Sequence, residues 1–87
     1  MEDRLLTDKR VWDFVQAENR RQVKKWGVQD RTPAEWLSFT MEEVGEMAKA
    51  ISEWKYRAGT TIEVVNEAIQ SATLCLKIAE MFLAEKK

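Results

Sequence analysis

The sequence predicts an all-α protein, an antiparallel bundle of three to four helices that is completed by dimerisation. Apolar residues recur at helical spacing along most of the 87 residues, and two Thr-x-x-Glu capping boxes mark the starts of long helices. No segment alternates between polar and apolar residues as a half-buried β-strand does. A chain of this length makes one small helical domain, which we place at residues 1–87.

The first helix is predicted to begin after Thr7 as N-cap, with Asp8 in its first turn near the positive end of the helix dipole. It should run to about Lys25 and end at Gly27, a residue suited to the left-handed conformation that often follows a helix.

The second half of this helix, residues 18–25, is polar almost all round. It is either a solvated helix end with cations near the negative dipole terminus, or a surface on which some of Arg21, Lys24 and Lys25 face a polyanionic ligand.

The second helix has a strong start signal: Thr32 as N-cap, Pro33 at the first helical position and Glu35 closing a capping box. The helical pattern continues to about Arg57. Gly45, in the middle of this long helix, is a weak point where a bend could occur.

The third helix follows an Ala-Gly break and has Thr60 as N-cap and Glu63 closing a second capping box. It is predicted to span residues 61–84, with Lys86 and Lys87 at its C-terminal end, where cations are favoured. The second and third helices are long enough to form an antiparallel pair.

Charge and composition exclude several classes of function. With 14 basic and 15 acidic residues, the net charge of −1 gives no electrostatic footprint for a nucleic acid polymer or an anionic membrane. No apolar run approaches the length of a membrane span and the first residues lack a signal-peptide profile, so we expect a soluble, cytoplasmic protein. The chain has no His, and its one cysteine, Cys75, is expected to be a small buried residue of the last helix rather than a zinc ligand.

Each of the two long helices carries a carboxylate in the middle of its apolar face. At about 100° per residue, Glu43 and Glu67 each lie within about 40° of several apolar side chains of their own helix. Glu46 and Gln70 follow one turn later, about 60° away. A Glu-x-x-Glu pair and a Glu-x-x-Gln pair on antiparallel helices therefore predict a cluster of four oxygen ligands.

These carboxylates need a partner, because an isolated charge inside a core costs several kcal/mol. Lys49 and Lys55 are the cations nearest in sequence, but they project to other sectors of the second helix. A hard divalent cation such as Mg²⁺ is the simplest remaining partner, since it prefers carboxylates, retained waters and phosphates.

Four segments together resemble the MazG-like family of all-α nucleoside triphosphate pyrophosphohydrolases, over residues 20–82. They are Trp26-Gly27-x-Gln29, Glu35-Trp36-Leu37, Glu42-Glu43-Val44-Gly45-Glu46 and Glu67-Ala68-Ile69-Gln70. The resemblance implies a homodimer or homotetramer that hydrolyses a nucleoside triphosphate, NTP or dNTP, between the α- and β-phosphates. The products are the monophosphate and pyrophosphate, a reaction that fits the house-cleaning of nucleotide pools.

The resemblance also implies the site residues. Glu43, Glu46 and Glu67 align with ligands of Mg²⁺, for which Mn²⁺ could substitute, and Glu42 aligns with the first Glu of the motif. Gln70 stands where the family usually has Asp, so the cluster loses one negative charge and should hold a second metal less well. Catalysis is expected from Glu42, Glu43 and Glu46, with Glu42 or Glu46 accepting a proton from the attacking water.

Substrate binding is expected from Lys77 of the third helix and from the end of the first helix and the loop that follows it. The candidates there are Arg21, Lys25, Trp26 and Gln29. Trp26, Trp36 and Trp54 either stack on a base or pack in the core or an interface.

The apolar arc of the second helix covers about 200°, more than the roughly 100° stripe of a surface helix. The surplus predicts association with a second copy. Two other hypotheses remain open at this point. One is a helical dimer that binds nucleotide or metal with little or no turnover, and the other is a purely structural interaction bundle whose carboxylates are solvated or paired with a neighbouring subunit.

Overall fold

The structure, a computed structural model, describes residues 1–85 and contains three α-helices joined by short loops. Helix α1 spans Lys9–Trp26, α2 spans Pro33–Tyr56 and α3 spans Thr61–Leu83. No β-strand occurs within the described residues. The all-α prediction is confirmed, whereas the predicted position of Lys86 and Lys87 at the end of the last helix lies outside the described residues.

Helix α1 begins one residue later than predicted, because Asp8 and not Thr7 is its N-cap. The Asp8 carboxylate accepts hydrogen bonds from the backbone N–H of Arg10 at 3.0 Å and from the Arg10 guanidinium at 2.7 Å. These contacts lower the pKa of Asp8 to about 2. A carboxylate that caps the helix and also pairs with Arg10 is a stronger acceptor than the Thr7 hydroxyl.

Gly27 ends α1 as predicted, although its backbone differs from the predicted left-handed helical geometry. Its φ of 73° is in the region that favours glycine, but its ψ of −178° is extended. The Gly27 N–H donates to the Val23 carbonyl at 2.8 Å, which closes the last turn of the helix.

Both predicted capping boxes are present. At the start of α2, the Glu35 N–H donates to Thr32 Oγ1 at 3.2 Å and the Thr32 N–H donates to Glu35 Oε1 at 3.0 Å. The same reciprocal pair joins Thr60 and Glu63 at the start of α3, at 3.3 and 3.4 Å. These local bonds satisfy backbone donors that would otherwise lack partners.

The helices pack around α3. Helices α2 and α3 form an antiparallel hairpin connected by residues 57–60, and α1 packs against α3. No Cα atom of α1 lies within 8 Å of one of α2 in the described helices, so a cleft separates these two. The cleft is where the fold places the candidate site.

The buried core of the described chain is small. Its buried apolar side chains are Val15, Trp36 and Leu74, one from each helix. Three buried hydroxyl groups, those of Thr40, Ser71 and Thr73, donate to the carbonyl four residues earlier at 2.8–3.0 Å. Because each hydroxyl is satisfied within its own helix, α2 and α3 can bury these residues where they pack together.

Much apolar surface remains exposed. The accessible area is 7417 Å², compared with roughly 5300 Å² for a compact monomer of this mass. Residues 1–8, outside the helices, contribute part of the excess, and apolar side chains of the hairpin contribute another part. Cys75 lies among the exposed residues of α3, so the expectation that it is buried within the chain is wrong.

Two glycine substitutions should change stability in opposite directions. Helix α2 is continuous through Gly45, and a Cβ there would have no neighbour within 4 Å, so Gly45→Ala should stabilise the fold by about 1 kcal/mol. A Cβ at Gly59 would lie 2.8 Å from the backbone of Glu53 and Trp54, so Gly59→Ala should destabilise it by about 1–3 kcal/mol. Urea unfolding of both variants measures the two changes, and equal effects would contradict the close approach at Gly59.

Candidate functional site

The cleft between α1 and α2 is an open cavity of about 570 Å³ with α3 as its floor. Side chains of all three helices and of the loop after α1 line it. It brings together eight residues that the sequence singled out: Arg21, Trp26, Gln29, Trp36, Glu42, Glu43, Gln70 and Lys77. Arg21 and Gln70 also line a second cavity of about 310 Å³ between α1 and α3.

Glu43 and Glu67 face each other across the hairpin, as their helix positions predicted. Each has one carboxylate oxygen, Oε2, that is buried and has no hydrogen-bond partner in the described structure. Burial raises the pKa of Glu43. Glu67 raises it further, through its negative charge and through a hydrogen bond that the protonated carboxyl can share with it, and Glu46 and Glu18 contribute more weakly. Two carboxylates that repel one another and lack donors make a site that a cation would stabilise.

The other two predicted ligands are placed less centrally. Gln70 is half-buried and lines both cavities, whereas Glu46 is exposed and lines neither. Glu42 is exposed at the edge of the larger cavity. No three acidic side chains within residues 1–85 converge closely enough to hold a metal ion. The structure therefore joins Glu43 with Glu67 but does not assemble the full predicted cluster.

The two joined carboxylates fit a divalent cation in their chemistry. Mg²⁺ takes oxygen ligands, and one or two carboxylates with water and substrate phosphates are its usual protein site. The buried, unpartnered oxygens of Glu43 and Glu67 supply that minimum. Arg21 interacts favourably with the charge of Glu43, but its guanidinium is already paired with another carboxylate.

That carboxylate belongs to Glu18, which is buried in α1. Arg21 donates two hydrogen bonds to Glu18, at 2.8 and 2.7 Å, and Gln22 donates a third at 2.7 Å. Burial by itself would raise the pKa of Glu18, but the bonds from Arg21 and Gln22 outweigh it and lower the pKa. Of the two alternatives for residues 18–25, a fully solvated helix end does not hold for the face of α1 that carries the buried Glu18.

Lys77 of α3 joins the same network. Its ammonium donates to Gln22 Oε1 at 2.6 Å and lies 5.9 Å from the centre of the Trp36 ring. Burial lowers the pKa of Lys77, and the charge of Glu18 opposes that effect. Lys77 and Arg21 thus add two cations to the lining of a cavity that also contains Glu42 and Glu43.

The three candidate tryptophans differ in whether they pack in the core or are accessible to a ligand. Trp36 is buried and contacts Phe39 edge-on, at 6.1 Å between ring centres, so it is a core residue. Trp26 is exposed at the cavity and can offer a ring face to a ligand, whereas Trp54 is half-exposed and lines neither cavity. Lys25 also lies outside both cavities, with its ammonium 4.8 Å from the centre of the Trp26 ring.

Sequence reasoning missed Glu18 and Gln22. Glu18 precedes Arg21 by three residues and Gln22 by four, a spacing that lets both side chains reach Glu18 and was a signal for these contacts. The contact of Gln22 with Lys77 joins residues 55 positions apart, so it depends on how α1 packs on α3. Phe39 and Arg31, which also line the cavity, were not singled out either.

Comparison with known proteins gives no match to a protein-family model, a curated protein or a solved structure. Among the described helices, none is both long and apolar enough to cross a membrane.

The pKa of Glu43 makes the metal-free protein sensitive to pH. Because folding raises this pKa above its ordinary value of 4.5, the contribution of Glu43 to stability is fully present below pH 4.5 and is lost as the pH rises through the raised value. The Glu43→Gln variant does not lose stability in this way, because the glutamine side chain does not ionise. In EDTA, its melting temperature should therefore exceed that of the wild type by more at pH 7 than at pH 4.5, and a constant difference would contradict the burial of a charged Glu43.

Proposed function

We propose that this chain is a cytoplasmic, Mg²⁺-dependent nucleoside triphosphate pyrophosphohydrolase that converts an NTP or dNTP to the monophosphate and pyrophosphate. The observation that carries the proposal is the facing pair Glu43 and Glu67: each has a buried oxygen that receives no hydrogen bond from the rest of the described chain, and Glu43 lines the open cavity. Facing carboxylates without donors from the rest of the chain destabilise a fold, and such perturbed groups cluster at functional sites.

The composition of the cavity supports a polyphosphate substrate. Glu42 and Glu43 line one side, and Arg21 and Lys77 line it from α1 and α3. A triphosphate carries several negative charges, so it needs cations along its length and a metal where it meets carboxylates. The cavity provides room for this arrangement, and Trp26 at its edge offers a ring on which a base can stack.

Each residue then has a distinct task. Bound Mg²⁺ would polarise phosphoryl oxygens and neutralise negative charge. Glu43 and Glu67 would hold it, with Gln70 adding a neutral carbonyl oxygen and Glu46 joining if its exposed side chain turns inward. Glu42, exposed at the cavity edge, is the acceptor we propose for the proton of the attacking water, with Glu46 as the other candidate.

The exposed side of the α2–α3 hairpin supports a homodimer or a homotetramer. We call this surface the outer face. It consists of exposed apolar residues of the hairpin: Leu37, Met41 and Ile51 of α2, and Val65 and Leu76 of α3. An apolar face of this extent is unusual for a monomer, and pairing it with a second copy would complete a helical bundle.

A second candidate is a helical dimer that binds a nucleotide with little or no turnover. The observation that favours it is the placement of Glu46, which leaves two carboxylates and not three or four at the centre of the site. Gln70 in place of a charged ligand points in the same direction.

Pyrophosphate release from a panel of NTPs and dNTPs, with Mg²⁺ and with excess chelator, separates the two candidates. We expect release from at least one nucleotide that chelator abolishes and that Mn²⁺ restores. Tight nucleotide binding in calorimetry without any release would favour the binding module. Absence of both binding and release would contradict the two candidates together.

A further inference from the structure

Gln22 occupies a central place in the network that links α1 with α3. Its amide nitrogen donates to Glu18 Oε2 at 2.7 Å, and its amide oxygen accepts from the Lys77 ammonium at 2.6 Å. It is half-buried and lines the cavity between α1 and α2. One side chain thus connects a buried carboxylate to a half-buried cation.

The chemistry of the two neighbours fixes the orientation of the Gln22 amide. The ionised carboxylate of Glu18 only accepts hydrogen bonds, and the ammonium of Lys77 only donates them. The NH₂ group must therefore point to Glu18 and the oxygen to Lys77. Glu18 is itself held by two bonds from Arg21, so the amide has a rigid support.

The neutrality of Gln22 matters as much as its geometry. Lys77 forms no ion pair among the described residues. Because Gln22 is neutral, its hydrogen bond engages one of the three ammonium protons and does not compensate the charge of Lys77. The Trp36 ring covers another side of the ammonium. A cation that is half-buried, oriented and not neutralised attracts an anion from the cavity.

We propose that Gln22, supported by Glu18, is a positioning residue that aims Lys77 at a phosphate group of the substrate. This inference rests on the proposed function and adds two residues to it, neither of which touches the reacting atoms. It also explains why a carboxylate is buried in α1. Glu18 orients the Gln22 amide, and the amide in turn orients Lys77.

Calorimetric titration with inorganic triphosphate in the presence of Mg²⁺ tests the proposal without any need to know the base. Wild type is compared with Gln22→Met, Lys77→Met and the double variant. Gln22→Met keeps the charge and nearly the volume but removes both hydrogen bonds, so we expect binding about tenfold weaker. In the Lys77→Met background, the same substitution should have no further effect, because Gln22 acts only through Lys77.

Gln16→Met is the matched control, since Gln16 is an exposed glutamine on the same helix, and it should bind as the wild type does. Helix content by circular dichroism checks folding, and Gln22→Asn, too short to bridge both neighbours, replaces Gln22→Met if that variant unfolds. Equal weakening in both backgrounds, or no weakening, would overturn the positioning role alone. A wild-type chain that binds no triphosphate would contradict the proposed function as well.

Discussion

Glu43→Gln should reduce Mg²⁺-dependent pyrophosphate release by about a hundredfold or more while the three helices remain folded. Glu43 is one of only two carboxylates that face each other in the described site, so its loss removes half of the charge available to a cation. The amide keeps the volume of the side chain but binds a divalent cation much less well. Steady-state assays of pyrophosphate release at saturating Mg²⁺ measure the effect.

The same variant separates metal binding from folding. Mg²⁺ should raise the melting temperature of the wild type, because a ligand that binds only the folded state stabilises it, and should leave that of Glu43→Gln unchanged. Glu53→Gln removes an equal charge from the same helix at a half-buried position whose ion pair with Arg57 is long, at 3.7 Å. That control should behave as the wild type, and full activity of Glu43→Gln would show that Glu43 is not a ligand.

Met41→Glu should convert the proposed oligomer into a folded monomer. Met41 is 58% exposed within one chain, so a charged side chain costs the isolated subunit little. At a two-fold interface the substitution places a charge in each copy, and burying both without partners should weaken association by about a hundredfold or more. Leu76→Glu tests the α3 side of the outer face in the same way.

Sedimentation equilibrium at micromolar concentration measures this change. Leu5→Glu provides a matched control, because it adds the same charge outside the outer face. Leu5 is 90% exposed in the segment before α1. It should leave the oligomer intact. A wild-type chain that sediments as a folded and active monomer would refute the role of the outer face.

The features that the sequence predicted best depend on neighbours within a few residues. Both capping boxes formed because their donors and acceptors are three positions apart, whatever the rest of the chain does. The burial of Glu43 and Glu67 followed from helical periodicity, which sets the face on which a side chain lies. Asp8 was missed as the N-cap because Thr7, its neighbour, is also a favoured N-cap residue. The contact of the Asp8 side chain with Arg10 decides between them.

The features that could not be predicted depend on how the helices meet. Periodicity placed Lys77 near the site, but not its contact with Gln22, which requires the actual distance between α1 and α3. It also grouped Glu46 with Glu43, but a residue 60° away on a helix can face solvent, and Glu46 is exposed. From helical periodicity alone, Trp36 could either stack on a base or pack in the core. The packed structure buries it, so it is a core residue.

The products of the reaction test the central proposal most directly. Phosphorus NMR of the wild-type protein with Mg²⁺ and the best nucleotide of the panel identifies which phosphoanhydride bond breaks. We predict equal amounts of nucleoside monophosphate and pyrophosphate, no early orthophosphate, and no reaction with chelator. Formation of nucleoside diphosphate and orthophosphate, or an unchanged triphosphate with every nucleotide, would contradict the account.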